Sequence, residues 1–159
     1  MEPERALVSA DALEATVPIG GHVVHMPSHI YVRVGQYDKA IDNNVRSMQV
    51  DQQFAEIWGK RPLPNLGTYP LSHKMHAGHA LDFIRYAATV QGNYKTASDA
   101  AWRMANRIKS SAVRVRGGQK RASAPWLVLK IFGKWDELLG LTPAHQGTPY
   151  LDGIWSYSV

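Results

Sequence analysis

Apolar positions recur along this chain at helical spacing, one segment after another. Near the N-terminus Ala6, Leu7, Ala10 and Leu13 form a stripe behind Pro3 and Glu4, two residues suited to a first helical turn. This pattern predicts a helix over 3–16, followed by a turn at Pro18-Ile19-Gly20-Gly21. A second helix over 24–34 has Pro27 in its first turn and Ile30, Tyr31 and Val34 on one side. A third over 38–50 opens on Asp38 and turns Ala40, Ile41, Val45 and Met48 inward. Asp42, Asn43, Asn44, Arg46 and Gln49 then face solvent or a concave surface. Further helices are expected over 73–91, 95–109 and 124–132, with a stub at 135–140. Residues 51–72 read as an irregular insertion, because Pro62, Pro64, Gly67 and Pro70 forbid regular structure. Phe54 to Trp58 can still prolong the helix before it. Residues 141–159 read as an irregular tail that begins another helix or caps the last hairpin. The chain is therefore expected to be all-α, in one domain over 1–159.

A turn recurs within this pattern. Gly35-Gln36-Tyr37-Asp38-Lys39-Ala40 is echoed by Gly92-Asn93-Tyr94-Lys95-Thr96-Ala97, and again by Gly133-Lys134-Trp135-Asp136-Glu137-Leu138. Each glycine ends an apolar segment, where a left-handed C′ residue is needed. Each aromatic can fill the space inside its own hairpin. Gly35, Tyr37, Ala40 and Ile41, then Gly92, Tyr94 and Ala97, then Gly133 and Trp135 give the chain a likeness to the tetratricopeptide (TPR) repeat. That likeness implies antiparallel helical hairpins stacked as a short right-handed superhelix. The glycines stand 57 and 41 positions apart (35 to 92, 92 to 133), against roughly 34 in the regular repeat. The array is thus degenerate, with its long insertion after the first copy.

The string Gly21-His22-Val23-Val24-His25-Met26-Pro27-Ser28-His29-Ile30-Tyr31-Val32-Arg33-Val34-Gly35 resembles a family of uncharacterised bacterial TPR-domain proteins that carry an HMPSHIY segment. Those proteins also carry a His-Asn-x-His-Phe segment and an Arg/Lys-Phe-Gly-x-Trp segment. Here the matching stretches are His79-Ala80-Leu81-Asp82-Phe83 and Lys130-Ile131-Phe132-Gly133-Lys134-Trp135. Ala80 stands where the family has Asn, and Asp82 where it has the second His. The resemblance implies that His25, His29 and His79 are motif positions. It also implies a chain trimmed at both ends relative to the family.

Composition narrows the partners. With no cysteine, disulfides and thiolate zinc sites are excluded. No apolar run is long enough for a bilayer, and Glu2 and Glu4 precede no apolar leader segment; a cytoplasmic protein is expected. Much of the net charge of +5 lies between Arg103 and Arg121. No aromatics alternate with those cations, so the stretch reads as a solvated connector and not as a nucleic-acid site. A first helix without its hairpin partner would expose apolar surface, which predicts a homodimer.

The chemistry rests on histidine, seven in 159 residues. His76 and His79, three apart, share a helix face, and so do His25 and His29, four apart, where the helix starts by His25; a helix starting at Pro27 leaves His25 outside it. Hairpin stacking would bring His25, His29, His79 and Asp82 together, a donor set for Zn, Fe, Mn or Ni. Hydrogen bonding of neutral imidazoles to Ser28, Tyr31 and Asp82 accounts for the same residues without an ion. Two functions follow. One is a protein- or peptide-binding module whose polar groove is lined by Ser28, Tyr31, Arg33, His76 and Asp82, where Arg33 can grip a carboxylate or phosphate. The alternative is a metal-dependent hydrolase-like site, or its remnant, at His25, His29, His79 and Asp82. No phosphate loop, nucleophile elbow or HExxH is present, and the sequence specifies no reaction.

Overall fold

The computed structural model describes residues 2–58, 77–108, 113, 116–142 and 147–159. All regular elements among them are helical. None of the described helices is long and apolar enough to cross a membrane. Contacts gather the chain into two compact units, residues 1–87 and 88–159, where the sequence reads as one domain.

In the first unit a 3₁₀ turn at Pro3–Ala6 leads into α1 (Leu7–Thr16). Then come α2 (Gly21–His25), α3 (Ser28–Tyr31) and the long α4 (Tyr37–Trp58). The single helix expected over 24–34 thus starts three residues earlier and is interrupted. Pro27 has no N–H to give Val23, so the hydrogen-bond ladder lapses there. Met26 and Pro27 both keep right-handed helical dihedrals, and the axis continues through the lapse. Both short helices pack on α4, and α1 packs on both. A side chain at Gly21 would put its Cβ 1.9 Å from Asp51 Oδ1 and 2.8 Å from the Ser47 carbonyl. Only glycine permits that approach, and Ser47 Oγ fastens it by donating to the Gly21 carbonyl at 2.7 Å. A small core of Ala10, Tyr31, Ala40 and Ala87, flanked by Leu7, Ile30 and Ile41, completes the unit. Ala87 belongs to α5 (Ala77–Val90), whose last turn falls in the second unit.

The second unit contains α6 (Tyr94–Ala105), α7 (Arg116–Ala122), α8 (Ala124–Ile131), α9 (Trp135–Leu139) and α10 (Pro149–Ser158). Its core joins Val113, Trp126, Leu129, Leu138 and Leu151, with Trp155 edge-on to Trp126 at 5.1 Å between centroids.

Three corners have one construction. Gly35, Gly92 and Gly133 have φ of 78°, 76° and 65°. The following amide closes back onto the carbonyl five residues earlier: Gln36 to Tyr31 at 2.9 Å, Asn93 to Ala88 at 2.8 Å, Lys134 to Leu129 at 2.9 Å. These are Schellman turns. Each is followed by a helix that starts on the aromatic predicted for it: Tyr37, Tyr94 or Trp135.

The prolongation through Trp58 and the helix offered for the tail are both present, and two other expectations are corrected. The insertion 51–72 is helical through Trp58, and residues 59–76 lie outside the described ones. The tail 141–159 contains α10, in which Leu151 is 1% exposed. Apolar burial overrides the weak helix propensity of Gly153 there. Residues 116–122, read as part of a connector, form α7. On α4 Ala40 is buried as expected, but polar Asn43, Asn44 and Ser47 join it on the inward side, and Val45 is 39% exposed.

Candidate metal centre

Helical spacing brings the first pair of imidazoles together. His25 Nε2 lies 3.1 Å from His29 Nε2. His79, on α5, completes the group: one nitrogen from each of the three residues can be chosen so that all lie within 4.8 Å of one another. Ring centroids are 4.6 Å apart for His25–His79 and 5.9 Å for His29–His79. His25 is buried, and the other two are half-buried. Phe83, one turn beyond His79, meets all three imidazoles edge-on or nearly so, at 4.9, 4.7 and 5.1 Å. It supplies an apolar wall to the cluster.

Asn44 fixes which nitrogen of His25 is free. Its Nδ2 donates to the Ala40 carbonyl at 2.7 Å and to Ser28 Oγ at 2.9 Å. A carbonyl can only accept, so that end of the amide must be the NH2. The other end, Oδ1, is an acceptor 2.7 Å from His25 Nδ1. Nδ1 therefore carries the proton, and Nε2 points its lone pair toward His29. A ligand histidine whose second nitrogen donates to a fixed carbonyl is the usual outer-shell support of a metal site. Burial pushes the His25 imidazole down to about 4; the Asn44 bond opposes this, and the neighbouring His79, His29 and His22 add to it. His29 is lowered too, by burial first, then by His79, His22 and Arg33. Both rings are thus biased toward the neutral form, and with His25 Nε2 the acceptor, His29 Nε2 donates the 3.1 Å hydrogen bond between them.

The remaining predicted residues are placed differently. Ser28 is fully buried, receives Asn44 and donates to the Ala40 carbonyl at 3.3 Å. Tyr31 is 2% exposed and donates to Asp11 at 2.7 Å, tying α3 to α1. That bond, with Lys39 at 3.1 Å, holds the Asp11 carboxyl below its ordinary range. Asp82 Oδ1 accepts from Arg85 at 2.7 and 3.1 Å, and Asp82 is not part of the imidazole group. Arg33 is exposed. His76 lies outside the described residues.

Sequence reasoning missed Asn44, which it assigned to a solvated face. The signal was the row Ala40, Asn44, Ser47 and Asp51 at helical spacing, which continues the inward side set by Ala40.

No protein-family model matches the chain, and neither a curated protein nor a solved structure matches it.

Proposed function

We propose that the first unit is a metal-binding helical module, holding one divalent transition-metal ion on His25, His29 and His79. The observation that carries this is the convergence of three imidazole nitrogens, one with its tautomer set by Asn44. Tetrahedral zinc with bonds of about 2.0–2.1 Å separates its ligand nitrogens by about 3.3 Å. The 3.1 Å between His25 and His29 is close to that spacing, and side-chain rotation of His79 closes the rest. An all-imidazole set suits zinc, iron and nickel better than manganese, which prefers oxygen donors. Three protein ligands would leave a position open for water or substrate, and a divalent ion held there would supply the Lewis acidity that hydrolysis can use. His25, His29 and His79 orient the ion; Phe83 excludes water from one side.

Metal analysis of tag-free protein tests this. One equivalent of zinc, iron or nickel per chain is expected, falling by more than about a hundredfold in affinity in His79→Ala, which removes a direct ligand. Sub-stoichiometric metal that is unchanged by His79→Ala would refute it.

A second reading, docking of a protein or peptide by a TPR-like array, draws support from the three matching corners. It also draws on Val8 and Ile19, 81% and 69% exposed on or beside α1. A second copy of the chain is one occupant of that surface. Sedimentation across a concentration series checks it, and a monomer throughout would remove the homodimer.

A further inference from the structure

Resting on the metal reading, we propose that the centre takes an oxyanion as its exogenous ligand, one carboxylate or phosphate oxygen on the ion and another on the guanidinium of Arg33. The backbone sets the geometry. Val32 N–H bonds to the Ser28 carbonyl and Val34 N–H to that of Ile30, at 3.0 and 3.1 Å. The chain thus stays helical to the Gly35 corner, and Arg33 follows His29 by one turn on the side of the axis that carries His25 and His29. Residues four apart on a helix are surface neighbours, about 5–6 Å between Cβ atoms.

Charge completes the argument. Three neutral imidazoles leave the full charge of a divalent ion uncompensated, and Arg33 adds another positive charge. Asp82, the acidic residue of the family-like segment, is already engaged by Arg85 at 2.7 Å. Arg5 and Arg103 are also paired with carboxylates on their own helical segments. Arg33 is exposed and is in no ion pair among the described residues. An unpaired guanidinium beside a site with an open position presents a fork suited to two oxygens of one anion. The ligand class is therefore a small carboxylate or phosphate species, held at two points.

Cobalt(II) loaded into the full chain gives visible bands that report the coordination sphere. These are followed during separate titrations with acetate and with inorganic phosphate. Saturable band shifts are expected with at least one anion. A response to acetate alone assigns a carboxylate ligand, and a response to phosphate alone assigns a phosphate. Arg33→Ala should raise the half-saturating concentration about tenfold, and Arg33→Lys should recover part of the loss. Bands indifferent to both anions, or the same half-saturation in Arg33→Ala as in wild type, would overturn the inference while leaving the metal centre standing. Failure to take up cobalt at all would remove the metal centre and the anion site with it.

Discussion

The two units turn their corners in the same way and differ in how much polar surface they bury. Gly35 in the first and Gly133 in the second each close a Schellman turn, with a helix opening two residues later. Behind Gly133 the interior is aromatic and aliphatic: Trp126, Leu129, Leu138 and Leu151. Behind Gly35 the apolar Val24, Tyr31, Ala40 and Leu81 share the interior with polar residues, His25, Ser28, Asn43, Asn44 and Ser47, that are also buried. In the second unit the buried polar residues among those described are two serines, Ser123 and Ser158. Burying polar groups costs free energy unless each is hydrogen-bonded. A chain able to build an apolar interior in one unit has placed a bonded Ser28–Asn44–His25 relay in the other. The difference separates an apolar interior from one that also gathers three imidazoles.

Removing apolar volume should separate the units most sharply. Trp126→Ala, in a well-packed apolar site, should cost about 3–5 kcal/mol of stability. Denaturant unfolding measures this, and metal affinity should not change. A loss of metal binding in that variant would contradict the assignment of separate roles.

Acid comes next. The His25 imidazole has a pKa of 6.5 when unfolded and about 4 when folded, so the unfolded state binds the proton more readily. The stabilisation is complete above pH 6.5 and is lost as pH falls toward 4. It is worth at most about 3 kcal/mol at 1.36 kcal/mol per pKa unit. Unfolding between pH 7 and 4 should show this slope in wild type and lose it in His25→Gln.

Removing the support of His25 should weaken the ion without removing a ligand. Asn44→Ala is expected to lower metal affinity about 10- to 100-fold, measured by competition with a chromophoric chelator, while circular dichroism remains helical. Unaltered affinity would mean that the amide does not set the imidazole.

The smallest effects test the likeness itself. Gly35→Ala and Gly133→Ala each force a side chain into positive φ, at about 1–2 kcal/mol. No side chain crowds Gly35, with nothing within 4 Å of a built Cβ, so its penalty is conformational. The two costs should agree in thermal melts. A large disparity would show that the corners are not equivalent.

Much of this was legible in the sequence, and unevenly. The corners were, because glycine with an aromatic two positions later is a local signal set by backbone sterics. The pairing of His25 with His29 was also local, a matter of one helical turn. His79 came from the resemblance and from the hairpin stacking expected of it, because helical spacing alone cannot reach partners 50 and more positions away. Asn44 was legible only as part of the inward row set by Ala40; its bond to an imidazole 19 positions earlier was not. Helix α10 was one of two readings of the tail, because Pro143, Gly147 and Gly153 punctuate it, whereas Pro149 sits in its first turn, where proline is tolerated. Burial of Leu151, a tertiary fact, outweighs Gly153.

X-ray absorption at the zinc edge of tag-free, zinc-loaded protein tests the central claim most directly. Three nitrogen neighbours at about 2.0–2.1 Å with imidazole outer-shell scattering are expected, falling to two in His29→Ala. A shell of oxygen neighbours alone, or the same shell in both proteins, would contradict it.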